Sequence, residues 1–356
     1  MPTYSFRKLH LTTRHDILAE FGAAITELPE DLISSLQNHS YLFKVLARPA
    51  EFPADLGAEL KQLGIRFWPI TSNTGYLFTD IKTLQGLAQS PQLNSPATRA
   101  FAGELGRFLQ RQQREVFVLA TKPQPLQIGS RTLIMGVLNC TPDSFYDGGR
   151  YYSPAAAIAH GQHLAEEGAD MIDIGGESTR PQGVYGGGAE PVSAEEEKSR
   201  VLPVIEALSK SVNIPLSIDT YKAEVAAAAV QAGASLVNDI SGFQFDPLMP
   251  ATVAQLDVPV VIMHTKGSPA DMQSNPTYEN LLDELYLYFE EQIALARAAG
   301  ITEDRLVIDP GLGFGKRVQD NYEILRRLPE FRGLGCPILV GPSRKSFVGK
   351  ALNLPP

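Results

Sequence analysis

The chain has 356 residues, 44% of them hydrophobic and 20% charged, with a formal net charge of −9. This composition excludes a disordered or fibrous protein and provides enough chain for one large domain or a barrel with a smaller companion. The negative charge argues against a general nucleic-acid binder, but an anionic small-molecule substrate remains open because a local cationic pocket needs only a few Lys or Arg.

Two cysteines, Cys140 and Cys336, lie far apart in sequence and fit packed free thiols in a reducing compartment. No apolar run reaches the roughly 20 residues of a membrane span. The opening "MPTYSFRKLHLTTRHD" lacks the apolar core of a signal peptide, and the expected location is cytoplasmic.

Residues 1–124 predict a small α/β domain. Strands are expected at "SYLFKVLA", "GIRFWPI", "GYLFTD" and "REVFVLATK", with helices around "DLGAELKQL" and "SPATRAFAGELGRFLQRQQ". No motif in this stretch carries recognisable chemistry.

The remainder, 125–356, opens with "PLQIGSR", expected to form part of a short hairpin plugging the bottom of a barrel. It then alternates short apolar runs, "TLIMGVLN", "MIDIGG", "PLSIDT", "SLVNDI", "PVVIMH", "RLVIDP" and "PILVG", with helix-like stretches that are often alanine-rich. Continuous apolar runs of this length are strands buried on both faces, and the βα alternation implies a parallel sheet. Every run ends in a polar residue: Asn139, Asp173, Asp219, Asn238 with Asp239, His264, Asp309 and Ser343. A ring of polar strand ends is the pattern of a TIM-type (β/α)8 barrel, whereas an open doubly wound sheet concentrates them at one switch point.

Several motifs are weaker than they look. "DPGLGFGK" fails the phosphate-loop pattern because Pro310 and Arg317 stand where Gly and Ser/Thr are required. It also fails the dinucleotide fingerprint, since Lys316 replaces the third glycine. His160 and His163 have helical i, i+3 spacing but no third zinc ligand. His264 is open between a packed and a catalytic histidine. Asp219, Asn238 and Asp309 are more informative. Each alone could be a turn or cap, but three acceptors on three strand ends favour a site for a heterocycle carrying an amide-like N–H and an exocyclic amine. Asn139, Thr179 and Arg180 sit in Gly- and Pro-rich loops, where a neutral Asn oxygen can meet a hard cation and Thr and Arg can hold phosphate oxygens.

The segments "MGVLNCTPDSFYDGG", "DIGGESTRP", "SIDTYKAEV", "NDISG", "DPGLGFGK" and "GPSRKSFVGK" occur in this order between about Leu126 and Gly349. Together they resemble the dihydropteroate synthase family. That resemblance implies a transferase and sulfonamide target that joins 6-hydroxymethyl-7,8-dihydropterin diphosphate to p-aminobenzoate in folate biosynthesis, releasing pyrophosphate. It places Asp219, Asn238, Asp309 and Lys345 on the pterin, with Ile240 and Met263 against its ring. Asn139 is placed on the magnesium that accompanies the diphosphate. Phe145, Thr179, Arg180, Pro181, Phe314, Lys345 and Ser346 are placed around p-aminobenzoate and the diphosphate. Asp147 is expected to stabilise the pterin cation left when pyrophosphate departs, so Asp147, Lys345 and Asn139 form the implied catalytic set.

Two related readings stay open: a pterin-binding methyltransferase module and a silent pterin binder. Thr265 and Lys266 depart from the family pattern, and the second loop, "QGVYGGGAEP", is longer than usual. Family members continue past the "SRKSF" motif through an eighth strand bearing Arg-x-His and a last helix, and they form homodimers. Only seven residues follow Gly349 here, so the expectation is a barrel truncated before its eighth strand.

Overall fold

The computed structural model describes residues 3–11, 14–21, 41–48, 51–79, 81–88, 96–141, 153–178, 192–267, 272 and 276–353. They fall into two compact units: 1–114 together with 322–335, and 115–321 together with 336–356.

The first unit is built on a four-stranded antiparallel sheet in the order β1-β2-β4-β3: β1 Thr3–Lys8, β2 Tyr41–Arg48, β3 Arg66–Pro69 and β4 Thr74–Thr79. Period-2 alternation sends Phe6, Phe43, Val45 and Leu77 to one face. There they pack with Leu56 and Leu60 of the helix Leu56–Gln62 and with Phe101 and Leu105 of the helix Pro96–Gln112. Strand β1 and the helices Arg14–Phe21 and Ile81–Ala88 were not among the expected elements.

The opposite face carries charge. Register places Arg7 directly across from Lys44, a like-charge pair that is unfavourable by itself. Glu20 compensates it, taking Lys44 Nζ at 2.9 Å and Arg7 Nη2 at 2.9 Å. Arg327, 0% exposed, closes the network: Nη2 donates to Glu20 at 2.6 Å, Nε to Glu330 at 2.7 Å and Nη1 to Glu323 at 2.9 Å. Arg7 also pairs with Glu330, and Arg326 Nε reaches Asp16 at 3.0 Å. Burial acts against the Glu20 carboxylate, but Arg7, Lys44 and Arg327 together hold its pKa well below the usual range.

In the second unit, β7 Met135–Asn139, β8 Met171–Gly175, β9 Leu216–Asp219, β10 Leu236–Asp239, β11 Val260–Met263 and β12 Leu306–Asp309 form one parallel sheet in sequential order. Each is followed by a helix: Pro154–Glu166, Ala194–Ser211, Ala223–Ala232, Met249–Leu256, Leu281–Ala298 and Val318–Arg326. This singly wound βα succession is the TIM-type α/β arrangement. The helix starts follow the local chemistry: Ser153, Ser193 and Asn280 cap their helices by accepting the N–H of Ala156, Glu196 and Asp283.

"PILVG" departs from expectation. It makes a single parallel bridge, Ile338 to Ile308, rather than a strand. Pro337 has no N–H to donate, and Gly341–Pro342 ends the extended run. The expected hairpin is present as β5 Phe117–Leu119 paired with β6 Leu126–Ile128. Its Leu119 and Leu126 pack with Met171, Leu236, Val261 and Val307, which lie at the first or second position of their strands. The hairpin therefore sits on the N-terminal side of the sheet, leaving the opposite ends for chemistry. Among the described residues no helix is long and apolar enough to cross a membrane. Both cysteines are free thiols; Cys336 is buried, and burial pushes the Cys140 thiol up to about 12.

Candidate active site

The parallel register aligns the C-terminal strand ends laterally. Asn139 is paired with Gly175, Gly175 with Asp219, and Asp219 with Asn238; farther along, Met263 is paired with Asp309. Gly175 keeps the first stretch open. A Cβ there would lie 3.4 Å from Asp219 Oδ2 and 3.8 Å from Asn139 Oδ1, so these side chains flank one gap. Asn139 is exposed, Asp219 and Asn238 are half-buried, and Ile240 and Met263 are buried apolar neighbours.

Asp309 is 7% exposed and accepts the Gly311 N–H at 2.7 Å. Burial pushes its carboxyl up to about 6 against that bond and the nearby Lys345 and Lys316 charges. Lys345 is half-buried with Nζ 4.2 Å from the Phe314 ring centroid, a cation–π contact. Burial lowers its pKa to about 8, opposed by Asp309 and Asp219. Burial likewise raises Asp219 well above the carboxylate range, reinforced by Asp173, Glu197, Asp239 and Glu177. The result is a carboxyl-rich surface faced by a half-buried ammonium, suited to a ligand with several N–H donors on one edge.

The "DPGLGFGK" loop owes its path to Gly311. At φ +67, a Cβ would come 2.0 Å from the His264 carbonyl oxygen, so only glycine allows the loop to lie against β11. Lys316, 3% exposed, fastens the same approach: Nζ lies 3.0 Å from His264 Nδ1 and donates to the carbonyls of His264 at 3.3 Å and Phe314 at 3.0 Å. Burial lowers Lys316 to about 7, and burial with Lys316 keeps His264 neutral, well below its usual pKa. His264 is thus a packed, hydrogen-bonded histidine. Ser346 opens the short helix Ser346–Leu352 directly after Lys345.

The structure therefore brings together Asn139, Asp219, Asn238, Ile240, Met263, Asp309, Phe314, Lys345 and Ser346 at one side of the second unit. Phe145, Asp147, Thr179, Arg180 and Pro181 lie outside the described residues. Asp239 has a local task, accepting Ser241 N at 2.8 Å, Ser241 Oγ at 2.7 Å and Phe243 N at 2.8 Å. His160 and His163 lie on the outer helix Pro154–Glu166. Lys266 pairs with Glu284 at 3.1 Å and sits 4.2 Å from the Tyr278 ring centroid.

Sequence reasoning missed the roles of Asp173 and Lys316, and it missed the Glu177–Lys222–Glu197 bridge. Lys222 Nζ pairs with both carboxylates, at 2.5 Å to Glu197, while Tyr221 Oη donates to Glu177 at 3.0 Å. A polar residue inside an otherwise apolar strand, as in "MIDIGG", was the available signal for Asp173.

A family model described as pterin binding enzyme matches residues 135–355. A dihydropteroate synthase from Synechocystis sp. is 48% identical over 240 residues, covering 65% of this chain and 81% of its own. One from Bacillus subtilis is 46% identical over 239 residues, with coverages of 67% and 79%. Among solved structures, the Yersinia pestis dihydropteroate synthase in a sulfonamide drug complex is 44% identical with a TM-score of 0.63, covering 67% of this chain and 84% of that one. The Xanthomonas albilineans dihydropteroate synthase with 4-aminobenzoic acid is 46% identical with a TM-score of 0.61, at 67% and 82% coverage. With the family model spanning these strands and relatives of this identity, the chain belongs to the dihydropteroate synthase family of pterin-binding enzymes.

Proposed function

We infer that the protein condenses 6-hydroxymethyl-7,8-dihydropterin diphosphate with p-aminobenzoate, giving 7,8-dihydropteroate and pyrophosphate. What supports this reading is that Asp219 and Asn238 are paired at adjacent strand ends and that Asp309 and Asp219 both act on the charge of Lys345. Those acceptors suit the exocyclic amine and ring N–H groups of a pterin, and the ammonium suits its carbonyl and ring nitrogen. Ile240 and Met263 supply apolar contact for the ring.

In the reaction the bond from the exocyclic methylene carbon to the diphosphate oxygen breaks, and pyrophosphate leaves with the electron pair. The resulting pterin cation is attacked by the arylamine nitrogen, which forms the C–N bond and loses one proton. Carboxylates close to the ring stabilise the cation as it develops. We assign this role to Asp147, with Asp309, ionised above about 6, proposed to assist it. The Phe314 ring beneath Lys345 forms one wall of the proposed aromatic-acid pocket, which Ser346, Thr179, Arg180 and Pro181 complete.

Magnesium fits the residues present in one way. Among the described residues no group of three or more His, Cys, Asp or Glu is placed to hold a metal. The ion typically binds through one or two protein oxygens together with substrate phosphates and water, and the exposed Asn139 side chain offers such an oxygen. When bound, it would offset charge on the diphosphate. The two free thiols support a cytoplasmic setting.

The direct test is pyrophosphate release from the pterin diphosphate with Mg2+, with and without p-aminobenzoate and with a sulfonamide as competitor. Release that requires p-aminobenzoate supports the synthase; pterin binding without turnover selects the silent binder.

Two of the site's perturbed groups, Asp309 and Lys345, set the expected limbs of the pH dependence. Below about 6 Asp309 takes up a proton and loses acceptor capacity, and above about 8 Lys345 loses its charge. The profile of kcat/KM should therefore be bell-shaped, with limbs near these values. Lys345→Arg keeps its charge at all accessible pH and should remove the alkaline limb while leaving the acid one.

A further inference from the structure

Asp173 is the third residue of β8, opposite Ser217 on β9. It is 6% exposed, and the recognition described above makes no use of it. One of its oxygens, Oδ2, accepts Asn238 Nδ2 at 2.8 Å; the other, Oδ1, is buried without a hydrogen-bond partner. A carboxylate kept in a parallel-sheet interior with half its acceptor capacity unmet is costly. At this position Val or Ala would fill a strand with no such cost.

What the cost secures is the orientation of an amide. Asn can present either its oxygen or its nitrogen to a neighbour, and only the hydrogen-bond network decides which. An ionised carboxylate accepts and cannot donate, so it takes the Asn238 nitrogen. A flipped Asn238 would set its oxygen against Asp173. The effect is reciprocal, since burial raises the Asp173 pKa while the Asn238 amide acts to hold it down. Asn238 lies directly across from Asp219 in the register, so its amide orientation decides which groups line the gap beside that carboxylate.

We propose that Asp173 is a positioning residue for pterin recognition, acting through the Asn238 amide. This rests on the functional reading above and extends it to a residue that does not touch the ligand. An ordinary packing role would weaken the fold as a whole; a positioning role through Asn238 vanishes once Asn238 has no amide to position.

The test is a double-mutant cycle on the full chain, reading the affinity for 6-hydroxymethylpterin by its own fluorescence. Thermal melting confirms that each variant is folded. Asp173→Ala is expected to weaken binding by about tenfold. In the Asn238→Ala background the same change should cost no more than about twofold. Asp173→Asn, which retains an oxygen to accept the Asn238 N–H, should recover affinity to within about threefold of the original.

Equal losses from Asp173→Ala with and without the Asn238 amide would overturn the proposal. So would unchanged binding in Asp173→Ala. If Asp173→Ala does not fold, the near-isosteric Asp173→Asn carries the cycle: a full tenfold loss in both backgrounds would show that packing or charge, and not amide orientation, is what matters. Failure of the unmodified chain to bind the pterin at all would overturn the functional reading and this inference with it, an outcome distinct from additivity in a chain that binds.

Discussion

Arg327→Met is expected to destabilise the first unit by about 3–5 kcal/mol, the range for breaking a buried ion network by removing one partner. Arg327 is fully buried and donates to Glu20, Glu323 and Glu330 at once. Methionine fills much of the volume but withdraws a positive charge from beneath the sheet, so carboxylates that were shared among Arg7, Lys44 and Arg327 lose compensation in a dry environment. Arg327→Lys should recover only part of the loss, because one ammonium cannot reproduce a three-armed fork. The chain's single tryptophan is Trp68, in β3 of this unit. A urea titration followed by its fluorescence therefore reports the unit directly, and an unchanged midpoint would reject the network as a stabilising element.

The same unit should be acid-sensitive in a defined direction. Glu20 has a folded-state pKa well below its ordinary 4.5. The folded state therefore binds fewer protons than the unfolded one, and the contribution is fully present above 4.5 and is lost as the pH falls below it.

Asp309→Asn is expected to lower kcat/KM by about 100- to 1000-fold, a loss of roughly 3–4 kcal/mol in transition-state stabilisation. The change is nearly isosteric, so the Gly311 N–H can still be accepted. An amide, however, carries donors to a place where the proposed pterin edge also donates, leaving two sets of N–H groups face to face in a buried pocket. It also removes the charge that partly offsets burial at Lys345 and Lys316, so both should lose their protons at lower pH than before. A shift of the alkaline limb below about 8, together with the loss of rate, would identify the electrostatic part of the effect. Full activity in this variant would remove Asp309 from the site.

The sheet of the second unit was readable because its strands are largely apolar, and the motifs at their ends pointed to Asp219, Asn238, Asp309 and Lys345. Of the hairpin β5–β6 only the second strand, in "PLQIGSR", was anticipated; the first, in "REVFVLATK", was expected in the small domain and instead belongs to the second unit. What could not be read depended on partners distant in sequence. Strand β1 alternates Tyr4 and Phe6 with Ser5 and Arg7, and Arg7 suggests an exposed face until Glu20 and Glu330 arrive to pair with it. Lys316 looked like the end of a failed phosphate loop, yet its Nζ is spent on His264 and Phe314. Asp173 resembled one more strand-end acceptor, whereas its position lies deeper than Asp219 and its partner is Asn238. In each case a charged residue was placed by interactions that no local pattern encodes.

The discontinuous make-up of the first unit bears on how the protein is made. Its sheet and the helix Pro96–Gln112 are encoded early, but Arg327 and Glu330 are synthesised more than two hundred residues later. At a translation rate of about 5–20 residues per second, roughly 10–45 s separate the two events. During that interval Arg7 and Lys44 have the Glu20 carboxylate but neither Arg327 nor Glu330, and the nascent domain waits on the ribosome with its polar interior incomplete. The order of emergence thus makes the first unit among the last parts of the chain to finish folding.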